Sequence, residues 1–97
     1  MEEISIGELK KRIENNEDFI LLDVRTKEEI ETDKISCRNL VFIPMHELPL
    51  RFNELDKNKE VIIYCRSGER SYYSGKFLEE RGFNVKNLLG GILAWKD

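Results

Sequence analysis

The run Val61-Ile62-Ile63-Tyr64-Cys65-Arg66-Ser67-Gly68-Glu69-Arg70-Ser71 constrains the fold of this chain more than any other stretch. It opens apolar and rich in β-branched residues, the pattern of a strand buried on both faces. At Cys65 the apolar run stops, and a short polar segment with one glycine follows. From Ser71 to Arg81 the pattern is helical, with Tyr72, Tyr73, Gly75, Phe77 and Leu78 set against Glu79, Glu80 and Arg81. Strand, loop and helix in that order place Cys65 at the carboxyl end of a strand, just before a helix N-terminus. In open parallel sheets that edge is where ligands bind.

A thiol at this point is in good surroundings for reactivity. The first N–H groups of a helix lack internal partners, and the helix dipole adds partial positive charge. Both favour a thiolate. Gly68 lets the loop turn through φ > 0. The N–H groups from Arg66 through Ser67, Gly68, Glu69 and Arg70 to Ser71 can then converge on one anion. Arg66 and Arg70 add positive charge, which Glu69 between them weakens. The bland alternative is a lone cysteine acting as a small hydrophobe. Strand, glycine, arginines and helix together favour a functional site.

Composition narrows the classes. A chain of 97 residues has room for one modest core, so residues 1–97 are read as one domain. Charged residues make up 36% and hydrophobic residues 40%, as in a soluble globular protein. The net charge of −3 comes without a basic stripe, which argues against nucleic-acid binding. No apolar run is long enough for a membrane span. Met1-Glu2-Glu3 opens no signal-peptide core, so the expectation is a cytoplasmic protein with reduced thiols. Cys37 and Cys65 have no metal-ligand spacing and His46 stands alone, so neither a metal nor another cofactor is expected. A monomer is the expectation.

The rest of the chain alternates strand and helix. Ile4-Ser5 begins a strand or extended entry, and Ile6, Leu9 and Ile13 mark a helix closed by Asn15-Asn16. Phe19 to Arg25 reads as a buried strand ending in Asp23 and Arg25, and Asp23 needs a partner there, either Arg25 or N–H groups of neighbouring loops. Thr26 and Glu29 form a capping box for a short helix with a charged, solvated face. Leu40 to Ile43 reads as another buried strand. Met45 to Leu48 reads as one helical turn before Pro49, and Leu50, Phe52 and Leu55 as a second short piece. Gly82 is a natural stop for the long helix. Phe83-Asn84-Val85 reads as a last strand, and Ile92 to Trp95 as a closing helix after Gly90-Gly91. Such alternation predicts an α/β fold with a parallel sheet and helices on both faces.

Three motifs together resemble the single-domain rhodanese family. Leu21-Leu22-Asp23-Val24-Arg25 resembles its early Asp-Val-Arg, and Tyr64-Cys65-Arg66-Ser67-Gly68-Glu69-Arg70-Ser71 its active-site loop. Gly82-Phe83, Leu89-Gly90-Gly91 and Trp95 resemble its closing segment. Asp33 to Asn39 departs from the Gly-His-Ile-Pro-Gly-Ala usual at that place. The resemblance implies a three-layer α/β/α fold around a mostly parallel sheet of about five strands.

It also implies a sulfurtransferase. Cys65 would take a sulfane sulfur from thiosulfate or a persulfide, hold it as a persulfide, and give it to cyanide, a thiol or a protein acceptor. Arg66, Ser67, Gly68, Glu69, Arg70 and Ser71 would hold the substrate, with Arg70 favoured over Arg66 for donor contact. Asp23 and Arg25 would support the site structurally. A non-catalytic sulfur carrier or binding module is the rival reading. A cysteine phosphatase fits less well, because Ser71 stands where that loop carries its arginine. Cys37 is read as an idle or buried thiol ahead of a resolving partner for Cys65.

Overall fold

The computed structural model describes residues 1–96. The strands are β1 (Glu2–Ile4), β2 (Ile20–Asp23), β3 (Leu40–Phe42), β4 (Val61–Tyr64) and β5 (Val85–Leu88). The helices are α1 (Ile6–Glu14), α2 (Lys27–Thr32), α3 (Leu48–Arg51), α4 (Glu69–Glu80) and α5 (Gly91–Lys96). Single 3-10 turns, Met45–Glu47 and Phe52–Glu54, flank α3. The strands form one sheet in the order β1-β5-β4-β2-β3, and every pairing is parallel.

Alternation along the strands sorts the core into two layers. Ile20, Leu22, Val24, Val61, Ile63, Cys65 and Val85 pack with Leu48, Leu55 and Leu78 on one face. Leu21, Ile62, Tyr64 and Leu88 pack with Leu9, Ile35 and Ile92 on the other. The result is the three-layer α/β/α arrangement. Ser5 and Thr26 close reciprocal capping boxes with Glu8 and Glu29, which start α1 and α2. Among the described residues, no helix is long and apolar enough to cross a membrane.

Several boundaries differ from the sequence reading, among them β1, which ends at Ile4 because Ser5 already caps α1. β3 is an edge strand with half-buried residues, because only β2 pairs with it. Pro49 lies inside the first turn of α3, where its missing N–H costs no helical hydrogen bond. β5 begins at Val85 and runs through Lys86 and Asn87, polar residues that broke the apolar pattern. α4 starts at Glu69, two positions before Ser71, because Gly68 at φ 107° serves as its N-cap.

This topology positions the site. The connection after β4 leads to β5, and the one after β2 leads to β3 on the opposite side. The loops after β2 and β4 therefore part and leave a crevice at the carboxyl edge of the sheet. Asp23 and Arg25 stand on one side of it and Cys65 on the other.

Candidate active site

Cys65 follows β4 directly and belongs to the face covered by α4. Its Sγ accepts hydrogen bonds from the backbone N–H of Gly68 at 3.2 Å and of Ser71 at 3.3 Å. Gly68 has no side chain to cap α4, so an N–H of the first turn turns to the sulfur instead. The sulfur thus takes the place that an N-cap oxygen usually fills. Its own residue is 1% exposed, whereas Arg66 and Ser67 are exposed. Burial works against a charged sulfur. The donors, Ser71 foremost and then Gly68 and Ser67, outweigh it and bring the thiol pKa below its ordinary value.

The loop is clamped from behind by α5. Ile92 N–H donates to the Cys65 carbonyl at 3.0 Å and Leu93 N–H to the Arg66 carbonyl at 3.1 Å. Gly91, at φ 61°, passes so close that an added Cβ would stand 2.4 Å from the Arg66 carbonyl oxygen.

Across the crevice, Asp23 and Arg25 form a buried tie. Arg25 Nε donates to Asp23 Oδ1 at 3.0 Å and Nη2 to Oδ2 at 2.8 Å. Tyr64 O–H donates to the same Oδ2 at 2.7 Å. Burial first, and then Asp23, push the Tyr64 phenol pKa up, which keeps it a donor. The segment that departs from the family pattern joins this tie. Arg25 Nη1 donates to Asp33 Oδ1 at 2.8 Å, and Ile35 N–H donates to the Tyr64 hydroxyl at 3.2 Å.

The two loop arginines differ. Arg70 donates through both terminal nitrogens to the Glu29 carboxylate, at 2.7 and 2.9 Å. That pairing is the main reason the Glu29 carboxyl is lowered to about 2. Glu29 therefore belongs to a cross-link between α2 and α4, not to a merely solvated face. Arg66 has no carboxylate partner among the described residues. Beside Arg70 lies a cleft of about 380 Å³ lined by Val24, Arg25, Thr26, Pro44, Met45 and His46. His46 is 78% exposed.

Asn87 escaped the sequence reading. It is 4% exposed on β5; Nδ2 donates to the Gly68 carbonyl at 3.0 Å, and Oδ1 accepts from the Ser71 hydroxyl at 2.6 Å. An asparagine between Val85 and Leu88 in strand register was the one available signal. Cys37 lies elsewhere. It precedes β3 at the amino edge of the sheet, beside Ile13, Phe19 and Asn39, and packs on the opposite face from Cys65. This placement rules out an internal disulfide between them without major rearrangement.

Fold and loop together define a rhodanese-type domain with a cysteine at its carboxyl edge. The chain belongs to the rhodanese-like domain family, whose sequence model matches residues 5–97. It is 43% identical over 94 residues to a sulfurtransferase of Allochromatium vinosum, covering 96% of this chain and 86% of that one. It is 37% identical to Bacillus subtilis YrkF, a protein named for a sulfur-carrier role, covering 96% of this chain and half of that one. The crystal structure of a rhodanese-like domain protein from Staphylococcus aureus superposes with a TM-score of 0.91 at 35% identity. That alignment covers 100% of this chain and 93% of the other.

Proposed function

We propose that this chain is a sulfurtransferase in which Cys65 carries a sulfane sulfur between a donor and a thiophilic acceptor. The observation that supports it is the Cys65 sulfur seated among N–H donors at the start of α4. The Cys65 thiolate attacks the outer sulfur of thiosulfate or of a persulfide. The donor S–S bond breaks, and sulfite or a thiolate leaves with the electron pair. The new outer sulfur is anionic and lies above the loop formed by Arg66, Ser67, Gly68, Glu69, Arg70 and Ser71. Cyanide or a thiolate then attacks that outer sulfur, takes it away, and returns Cys65 to the thiolate. Asp23 and Arg25 hold the facing wall.

Arg66 is the better contact for an anionic donor, since Glu29 occupies Arg70. A near-buried sulfur also calls for a donor that is slim at its sulfane end. A carrier without turnover of its own is the second reading. The neutralised Arg70 favours it, because a carrier loaded by a partner needs little attraction for a free anion. A phosphatase gains no support: Ser71 offers a hydroxyl and an N–H in place of a guanidinium.

The test is intact mass after incubation with thiosulfate, on wild type and Cys65→Ser. The expected result is a gain of one sulfur in wild type alone, removed by cyanide. A sulfur that also appears on folded Cys65→Ser would refute the assignment. Loading from a persulfide donor without turnover to cyanide or a thiol would establish the carrier reading.

A further inference from the structure

We infer that Asn87 is a positioning residue of the Cys65 loop: it fixes the direction of the Ser71 hydroxyl, and so decides whether that hydroxyl accepts from the sulfur or donates to it. This rests on the reading of Cys65 as the nucleophile. The argument is a count of protons. The Gly68 carbonyl can only accept, so the Asn87 amide must present its NH₂ end there. Oδ1 therefore faces Ser71, and a carbonyl oxygen can only accept as well. The Ser71 hydroxyl has one proton, and the 2.6 Å separation commits it to Asn87. While so committed, Ser71 Oγ offers only lone pairs to Cys65 Sγ, 3.3 Å away, and it donates to the sulfur only by leaving Asn87.

That geometry suits a thiol. The Cys65 S–H donates to Ser71 Oγ, and the chain of donors from Cys65 through Ser71 to Asn87 is complete. It does not suit a thiolate. When the thiol proton leaves to water, the sulfur gains a donor from the hydroxyl only if Ser71 turns away from Asn87. That turn leaves Oδ1 buried without a donor, which is costly. Once a sulfane sulfur is attached, Sγ carries neither proton nor charge, since the negative charge lies on the outer sulfur. Ser71 then returns to Asn87. The network is intact in the thiol and in the persulfide, and broken only in the free thiolate. It favours the loaded state over the empty anion.

The charged groups around the cleft are Arg66, Glu69 and Arg70 on the loop and α4, Asp23 and Arg25 at the end of β2, Glu29 on α2, Asp33 just after α2, and Lys96 on α5. His46 stands at the rim. Asn87 bonds to none of them. Replacing it leaves their field in place, and His46→Gln in every protein removes the one histidine from the profile.

Two measurements test the inference, and neither needs sulfur transfer. The first is the pH dependence of Cys65 alkylation by iodoacetamide, read by peptide mass. Asn87→Leu should lower the midpoint by about one pH unit, a tenfold change in the ionisation constant. In a Ser71→Ala background the same replacement should lower it no further. A midpoint that rises or stays put in folded Asn87→Leu would make Asn87 a prop of the loop and nothing more. The second uses the intact Asn87 side chain and decides the matter if Asn87→Leu fails to fold. The Asn87 side-chain amide signals in ¹⁵N–¹H spectra should move with the Cys65 midpoint, and several-fold less in Ser71→Ala. Equal movement in both proteins, or none, overturns the proposal. Failure of wild type to take sulfur from any donor would instead sink the proposed function and leave these results standing.

Discussion

Asp23 and Tyr64 are register partners on β2 and β4 and share a 2.7 Å hydrogen bond from the phenol to the carboxylate. The phenol oxygen also accepts from Ile35 N–H at 3.2 Å. One hydroxyl thus ties the sheet to the segment that departs from the family's usual pattern. All three residues are fully buried.

Tyr64→Phe removes that hydroxyl and leaves the Ile35 N–H without its acceptor. The expected loss is about 2–3 kcal/mol, the cost of stranding a buried polar group and weakening a second bond. Urea unfolding measures it. A change within about half a kcal/mol would mean that water replaces the phenol.

Gly91→Ala tests the clamp. An alanine there takes on a φ of 61° and presses its Cβ against the Arg66 carbonyl, which is backbone and cannot rotate away. Overpacking and left-handed strain together predict a loss of about 2–4 kcal/mol. Sulfur loading should fall with it, because the loop must shift. Normal stability and loading would show that α5 simply moves aside.

Glu29→Gln frees Arg70 beside the loop. Loading from thiosulfate should quicken by about three- to tenfold, as expected when a fixed charge is unmasked near an anion's path. An unchanged rate would show that Arg70 does not reach the donor. The stability cost should stay under about 1 kcal/mol, since both partners are partly exposed. Its pH dependence has a definite sign. Folding depresses this carboxyl from 4.5 to about 2, so its contribution is full above 4.5 and fades as pH falls through 2. The gap between wild type and variant should narrow over that window. A gap that widens in acid contradicts the pairing.

Trp95→Ala concerns the end of the chain. Full burial of the ring would make this a large loss. The ring is instead half-buried, packs at the margin of the α1 and α5 layer, and lies 5.2 Å from Lys10 Nζ. The expected cost is about 1–2 kcal/mol, from partial apolar burial and an exposed cation–π contact. Thermal unfolding distinguishes this from the 3–5 kcal/mol, roughly, of a fully buried aromatic.

Much of the fold is legible in the sequence. The β4 boundaries, the capping box of Thr26, and Gly82 just past α4 all follow from local rules. The errors have local causes too. The apolar pattern places β5 too early because two of its four residues are polar, Asn87 buried and Lys86 half-buried. β3 reads as buried because an apolar run does not reveal how many neighbours it has. The helical pattern from Ser71 starts α4 late, because Gly68 at positive φ lets the helix begin directly after it.

By itself the sequence determined where the sulfur stands. Cys65 ends a β-branched run and precedes a glycine and a helix, and those signals act within a few residues. Tertiary structure decided what each polar group faces. Glu29 meets Arg70 across 41 positions, Asn87 meets Ser71 across 16, and Cys37 falls at the wrong edge of the sheet. No local propensity encodes such pairings. They follow from the parallel strand order, which brings distant loops to one edge, and from the need of every buried polar group for a partner.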